Sequence, residues 1–328
     1  MPESTATPTL TPDLSVIVVN WNTGDLLRRC VASIVAAAPQ IAYEIIVVDN
    51  ASSDRSLDAL REEPLARACA LRIVENADNR GFGAANNQAF ALSQAPFVLL
   101  LNPDTVMTSG AIEALMAVLR GDPAAAACGP RIVNPDGSLQ VSVWRNPPAA
   151  WEIVLSSLWL YRLIPSRLRG EMLLGPHWPH DRRRDVPMLS GAALMVRRAA
   201  IDAVGGFDER FHMYAEDNEW CARMVRGGWR LIFEPDAVIR HDEAQSSLKR
   251  WSPLEKRRVQ LEAAYLLQQV SLPRRRLVAN QLAFCLTAYL QRCWRQVRGV
   301  DATEVAMVAR VHAHHLRQSL RARSPRGR

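Results

Sequence analysis

The sequence predicts an α/β protein built on a mostly parallel central sheet with helices on both faces. Two observations carry this. Short, continuous apolar runs alternate with helical patterns, the mark of strands buried on both sides. In addition, 48% of the 328 residues are hydrophobic, enough to bury a large core.

Taken in order, Leu14 to Val19 is a β-branched run followed by the loop Asn20-Trp21-Asn22-Thr23-Gly24 and a helical pattern through Leu26, Leu27, Cys30 and Ile34. The unit repeats with a strand over Glu44 to Val48, a turn over Asp49 to Asp54 and a helix around Leu57 to Leu60. Ala70 to Val74 and Phe97 to Leu101 supply two more strands, separated by a helix over Ala84 to Leu92. After Arg131 the pattern loosens. Trp151, Val154, Leu155, Leu158 and Trp159 recur at helical spacing, which reads first as core packing and second as a lipid- or acceptor-facing stripe. Leu163 to Pro187 reads as irregular. A strand follows over Met188 to Val196, a helix over Glu216 to Val225, and a strand over Trp229 to Phe233 ahead of Pro235 and His241.

From Lys249 onward, 17 Lys and Arg stand against 4 Asp and Glu, a local charge of +13 against −6 for the preceding residues. This basic stretch is patterned as helix: Leu282, Leu286, Tyr289, Cys293 and Val297 share one face, with Arg292, Arg295 and Arg298 on the other side. Such a pattern suits an anionic membrane surface, or equally a helix packed on the main domain with a solvated basic face. A nucleic-acid-binding reading is the rival from another class, but the tail has no interleaved exposed aromatics or reading motif, so no nucleic acid is expected. The expected division is a disordered N-terminus (1–12), a main domain (13–247) and a basic amphipathic helical extension (248–328).

Six scattered cysteines without Cys-x-x-Cys pairs argue against structural zinc and a disulfide framework. No apolar run approaches the roughly 20 residues that span a bilayer, and Met1 to Pro12 lacks the basic start and apolar core of a signal peptide. The expected location is the cytoplasm, peripheral on the inner face of the plasma membrane.

Three local features point to chemistry. Leu99 to Thr105 (Leu-Leu-Leu-Asn-Pro-Asp-Thr) is an apolar strand that stops at the carboxylate of Asp104, where open α/β sheets bind ligands. Taken alone, Asp104 is equally a cap for the helix that starts near Ser109. Asp49 closes the second strand in the same way and suits a base N–H or ribose hydroxyl, or else a turn. Asn79-Arg80-Gly81-Phe82-Gly83 places glycines ahead of a helix N-terminus suited to phosphate.

Six motifs in order carry a resemblance: Val16 to Asn22, Val47 to Asp54, Asn79 to Asn87, Leu101 to Thr105, Leu189 to Val196, and Gly205-Gly206-Phe207-Asp208-Glu209 through Tyr214-Ala215-Glu216-Asp217. Together they resemble the family 2 inverting glycosyltransferases, and within them the bacterial rhamnosyltransferase-type members. The resemblance implies a GT-A fold, with a nucleotide-sugar half (13–130) followed by an acceptor half (131–247). It implies transfer of a sugar from a nucleoside diphosphate donor to a hydroxyl of a cell-surface glycan or lipid-linked acceptor. dTDP-L-rhamnose is the first expected donor, with UDP-sugars (galactose, N-acetylglucosamine or glucose) as the alternative.

By the same resemblance, Asp217 is the expected catalytic base. Asp49 matches the base- or ribose-binding carboxylate, with Asn20, Asn22, Asn79, Arg80, Gly81, Asn86 and Asn102 in the donor site. Ser190, Gly191 and Ala192 line the junction of sugar and acceptor. Asp104 and His241 are the expected ligands of Mg²⁺ or Mn²⁺, which neutralises charge on a leaving diphosphate. The first acid of the family's Asp-x-Asp motif is Asn102 here. The usual aromatic upstream of Ser190 is replaced by Pro187 and Met188.

Overall fold

The computed structural model describes residues 11–37, 41–64, 70–242 and 251–321. Most of the expected N-terminal segment, the boundary near Ser247 and Cys69 therefore lie outside the described residues.

Among the described residues, ten strands form one sheet: β1 (Leu14–Asn20), β2 (Tyr43–Asp49), β3 (Ala70–Glu75), β4 (Phe97–Leu101), β5 (Thr105–Met107), β6 (Ala125–Val133), β7 (Leu139–Gln140), β8 (Arg184–Asp185), β9 (Ala193–Arg197) and β10 (Arg230–His241). The path runs β3-β2-β1-β4-β9-β6-β10-β5, with β7 beside β6 and β8 beside β10. The first four strands are parallel, as expected. Beyond them β9 lies antiparallel to both β4 and β6, and β5 antiparallel to β10, so the second half of the sheet is mixed.

Along each inner strand, successive side chains enter opposite cores. Val16, Val18, Ile45, Val47, Leu99 and Leu101 join one cluster, while Ile17, Val19, Ile46, Val48, Val98 and Leu100 join the other. That is why these strands read as unbroken apolar runs. The first cluster is covered by α1 (Asp25–Ala37), α2 (Ser56–Glu62) and α4 (Ala111–Gly121). The second lies under α3 (Phe82–Leu92), α7 (Arg198–Val204) and α8 (Glu216–Arg226), with Phe90, Phe207 and Trp220 stacked among themselves.

Four expectations are corrected. The segment 188–192 is not strand: β9 begins at Ala193, opposite Leu101 at the carboxyl end of β4, and the preceding residues form a loop there. The strand ending at Phe233 instead continues through Pro235 to His241, because a register shift between Glu234 and Val238 bulges the chain around the proline. The stretch read as irregular contains α6 (Ser166–Leu173). The tryptophans of α5 (Ala150–Ser157) and its continuation do not serve as core, since Trp151 and Trp159 are both exposed.

The basic extension resolves into α9 (Pro253–Ser271), α10 (Arg274–Val297) and α11 (Thr303–Arg321). α9 opens with a capping box in which Ser252 and Glu255 bond reciprocally. The bundle is tied to the sheet domain by α10, where Asn280 donates to the Pro148 carbonyl at 2.7 Å and Gln291 to the Ser157 carbonyl at 2.7 Å. Among the described residues, no helix is long and apolar enough to cross a membrane. The described cysteines are all free thiols.

Candidate active site

A cavity of about 650 Å³ opens at the carboxyl ends of β1 and β4 and is closed on its far side by α9. This is the crevice where open α/β sheets take their ligands.

Asp217 lies in the first turn of α8, behind two consecutive non-glycine residues in the left-handed region, Tyr214 (φ 69°) and Ala215 (φ 65°). This unusual backbone turns the helix start toward the cavity. One Asp217 oxygen accepts the Gly191 N–H at 2.9 Å. The other accepts the backbone and side-chain N–H groups of Asn218 at 2.7 and 2.6 Å, and Asn218 is in turn held by Asn146 at 2.9 Å. A Cβ on Gly191 would stand 3.3 Å from the Asp217 Cβ, so the glycine lets the loop pass close enough to donate.

Burial raises the Asp217 carboxyl above its ordinary value, against the lowering pull of the Gly191 and Asn218 N–H groups. Its neighbour Glu216 is buried, and its Oε2 has no hydrogen-bond partner among the described residues. Burial, then the Asp217 charge, pushes Glu216 up to about 8. At neutral pH the pair therefore carries its negative charge on the hydrogen-bonded Asp217.

On the opposite wall, Asp104 follows β4 and His241 ends β10. The register pairs Thr105 with His241, which brings the two together. His241 Nε2 stands 3.1 Å from Asp104 Oδ1, its Nδ1 meets Gln140 Oε1 at 2.7 Å, and Asn102 Nδ2 lies 3.5 Å from Nε2. One hard carboxylate and one imidazole, oriented from behind by Gln140, fit a divalent ion of the Mg²⁺ or Mn²⁺ type that takes its remaining donors from a ligand. Among the described residues there is no cluster of three or more protein ligands.

The structure brings Asn79, Gly81, Asn102, Asp104, Ser190, Gly191, Ala192, Asp217 and His241 to this one cavity. Four of the remaining expected residues, Asn20, Asn22, Asp49 and Asn86, support its walls. Asn20 donates to Asp49 at 2.6 Å and Ser56 at 2.8 Å, and Ser52 donates to Asp49 at 2.7 Å, so Asp49 is locked into the turn. Asn22 accepts the Ser53 N–H at 2.7 Å and pins the first two loops together. Asn86 is buried and donates to the Phe82 carbonyl at 2.9 Å, and Arg80 is exposed outside the cavity lining.

Sequence reading missed Trp21, Asn50, His212, Lys256 and Arg257, all of which line the cavity. Asn50 could have been found, because it sits beside Asp49 and its amide holds the Gly81 carbonyl at 3.1 Å. Lys256 and Arg257 carried no signal beyond the charge of the tail. Only the packing of α9 brings them in.

The family model described as glycosyl transferase family 2 matches residues 15–205. The chain belongs to glycosyl transferase family 2. A second model, glycosyl transferase family 21, matches residues 183–319. The N-acetylglucosaminyl-diphospho-decaprenol L-rhamnosyltransferase of Mycobacterium tuberculosis is 31% identical over 264 residues, 73% of this chain and 78% of that protein. Two solved structures share the GT-A fold. The mannosyltransferase PcManGT from Pyrobaculum calidifontis, in complex with GDP-Man and Mn²⁺, has a TM-score of 0.57 at 19% identity, covering 97% of this chain and 77% of that one. GalNAc-T7 with UDP, GalNAc and Mn²⁺ has a TM-score of 0.60 at 14% identity, covering 96% and 57%. This glycosyltransferase thus joins a family-typical sheet to a helical bundle that forms part of its cavity wall.

Proposed function

We propose that this glycosyltransferase transfers a sugar, with inversion, from a nucleoside diphosphate donor to a hydroxyl of a cell-surface glycan or lipid-linked acceptor. The observation that carries the reading is the placement of a hydrogen-bonded carboxylate, Asp217, in the same cavity as the Asp104–His241 pair. L-Rhamnose from dTDP-L-rhamnose is the first donor, supported by the mycobacterial relative, whose name also gives a lipid-diphosphate acceptor. UDP-sugars are the alternative.

Direct displacement at an anomeric carbon requires a base that takes the acceptor hydroxyl's proton as the new bond forms. Asp217 does this, with the Gly191 N–H and Asn218 orienting its carboxylate and Glu216 remaining neutral beside it. Asp104 and His241 would hold the divalent ion, whose chemistry is to neutralise charge on the leaving diphosphate. Asn79, Gly81 and Asn102 line the nucleotide-sugar half (13–130), and Asp49 and Asn20 stiffen the turn beneath the base. Ser190 to Ala192 mark the junction with the acceptor half (131–247). Lys256 and Arg257 supply positive charge across the mouth, where an anionic phosphate of donor or acceptor would pass.

A thermal-shift titration with dTDP, UDP and GDP, each with and without Mn²⁺, tests the donor site. A ligand at 100 times its dissociation constant stabilises by about 2.7 kcal/mol. Metal-dependent stabilisation by dTDP or UDP is expected, and a flat response to every nucleotide would count against the assignment.

A further inference from the structure

The apolar surface of this molecule is unevenly spread. Among the described residues, seventeen large hydrophobic side chains are exposed, and thirteen of them fall within residues 151–172 and 282–300. On α10, Leu282, Leu286, Tyr289, Leu290, Trp294 and Val297 form one continuous stripe facing away from the bundle, with Val297 87% exposed. The opposite face of the same helix buries Leu277, Asn280, Gln281 and Thr287 against its neighbours. Two partly buried polar bonds, to Pro148 and Ser157, fix which face points out.

The second half of the surface comes from a distant part of the chain. Trp159 lies 6.2 Å, ring to ring, from Trp294, and Leu160 and Leu163 follow it in a short 3₁₀ turn, Leu163 being 82% exposed. The two segments thus share one apolar ridge. Arginines border it. At helical spacing Arg292 and Arg298 flank the stripe on either side, both exposed, and the Arg298 guanidinium lies 5.4 Å over the Trp294 ring. Arg162 and Arg167 are exposed beside Leu163 and Leu168.

An exposed apolar ridge of this extent marks a docking surface. A protein partner that covered it would have to offer an apolar groove with an acidic rim. An anionic bilayer meets the same requirement everywhere on its surface: acyl chains take the leucines, the interface takes the tryptophans, and phosphates meet the arginines. Among the described residues no helix spans a bilayer, so the ridge would lie in the interface plane.

We propose that the α10 stripe and the Trp159–Leu163 turn together form an interfacial docking surface for an anionic lipid bilayer. This goes beyond the transfer reaction and does not depend on it, since binding requires neither donor nor acceptor.

The test is co-sedimentation of the full chain with vesicles of phosphatidylcholine alone or containing 30% phosphatidylglycerol, without substrates. Native protein is expected on the anionic vesicles. Leu286→Glu with Val297→Glu should weaken binding at least tenfold. Arg292→Gln with Arg298→Gln should weaken it about thirtyfold on anionic vesicles alone. All substituted positions are at the surface, and unchanged circular dichroism and nucleotide-induced thermal shift confirm that fold and donor site survive. Failure of the native chain to sediment, equal binding to both lipids, or native-like binding by the Leu286/Val297 variant would each overturn the proposal. So would a native dimer in sedimentation velocity that the same variant splits, which would assign the ridge to a second copy of the chain.

Discussion

Replacing Glu216 with Gln should change how stability depends on pH. The Glu216 carboxyl is buried beside the Asp217 charge and is held up at about 8, against an ordinary 4.5. Between those values the folded protein keeps a proton that the unfolded chain has released. The native state therefore loses stability as pH rises from about 4.5 to about 8, with the penalty complete above the folded value. The limiting slope is about 1.4 kcal/mol per pH unit, which accumulates to a penalty on the order of 4 kcal/mol near pH 8. Glutamine has the same shape and cannot ionise, so the penalty disappears, along with the repulsion that Asp217 feels. Urea unfolding of both proteins at pH 5, 6, 7 and 8 measures the difference. The variant should gain on the native protein by a few kcal/mol across that range, starting from near equality at pH 5. Parallel profiles would show that Glu216 is ionised in the folded state and would remove the reason for assigning the charge to Asp217.

Other predictions concern the rest of the cavity. Asp217→Asn should lower transfer by about 10²- to 10⁴-fold with nucleotide affinity within a few-fold, measured by product formation and calorimetry; near-native turnover would refute the base assignment. Because burial raises Asp217, transfer in the native protein should fail at a higher pH than an ordinary carboxylate predicts as the solution is acidified. Asp104→Ala should weaken nucleoside diphosphate binding in the presence of Mn²⁺ and leave metal-free binding nearly unchanged; an unaltered metal dependence would argue against Asp104. Gly81→Ala should destabilise by about 2 kcal/mol or more, since φ is +87° and the new Cβ would meet the His212 carbonyl at 2.6 Å. A shift in thermal midpoint of under a degree would contradict that geometry.

Much of the fold was legible because its signals are local. The four parallel strands were read from apolar runs that both cores require, and α3 from the residues that follow its glycines. What failed were elements whose state depends on partners. Pro235 reads as the end of a strand, yet β6 holds the chain on both sides of it and the proline falls in the bulge. Met188 to Ala192 has strand composition but has become a loop that carries the Gly191 N–H to Asp217. Trp159 reads as core because hydrophobicity alone does not say whether enough neighbours arrive to cover it, and here the Trp294 ring meets one side while about half of the side chain stays exposed.

The site divides in the same way. The sequence by itself determined which carboxylates end strands or begin helices, the order of the family motifs, and therefore the family. Only the tertiary structure decided which of those groups meet. Asp104 and His241 are 137 residues apart and are joined by the pairing of β5 with β10. Asp49 ends its strand as expected but turns into Asn20 and Ser52. Lys256 and Arg257 enter the cavity because α9 packs across it. Residue type and spacing record local preference, whereas proximity across the sheet is set by strand order and burial, which depend on the whole chain packing at once.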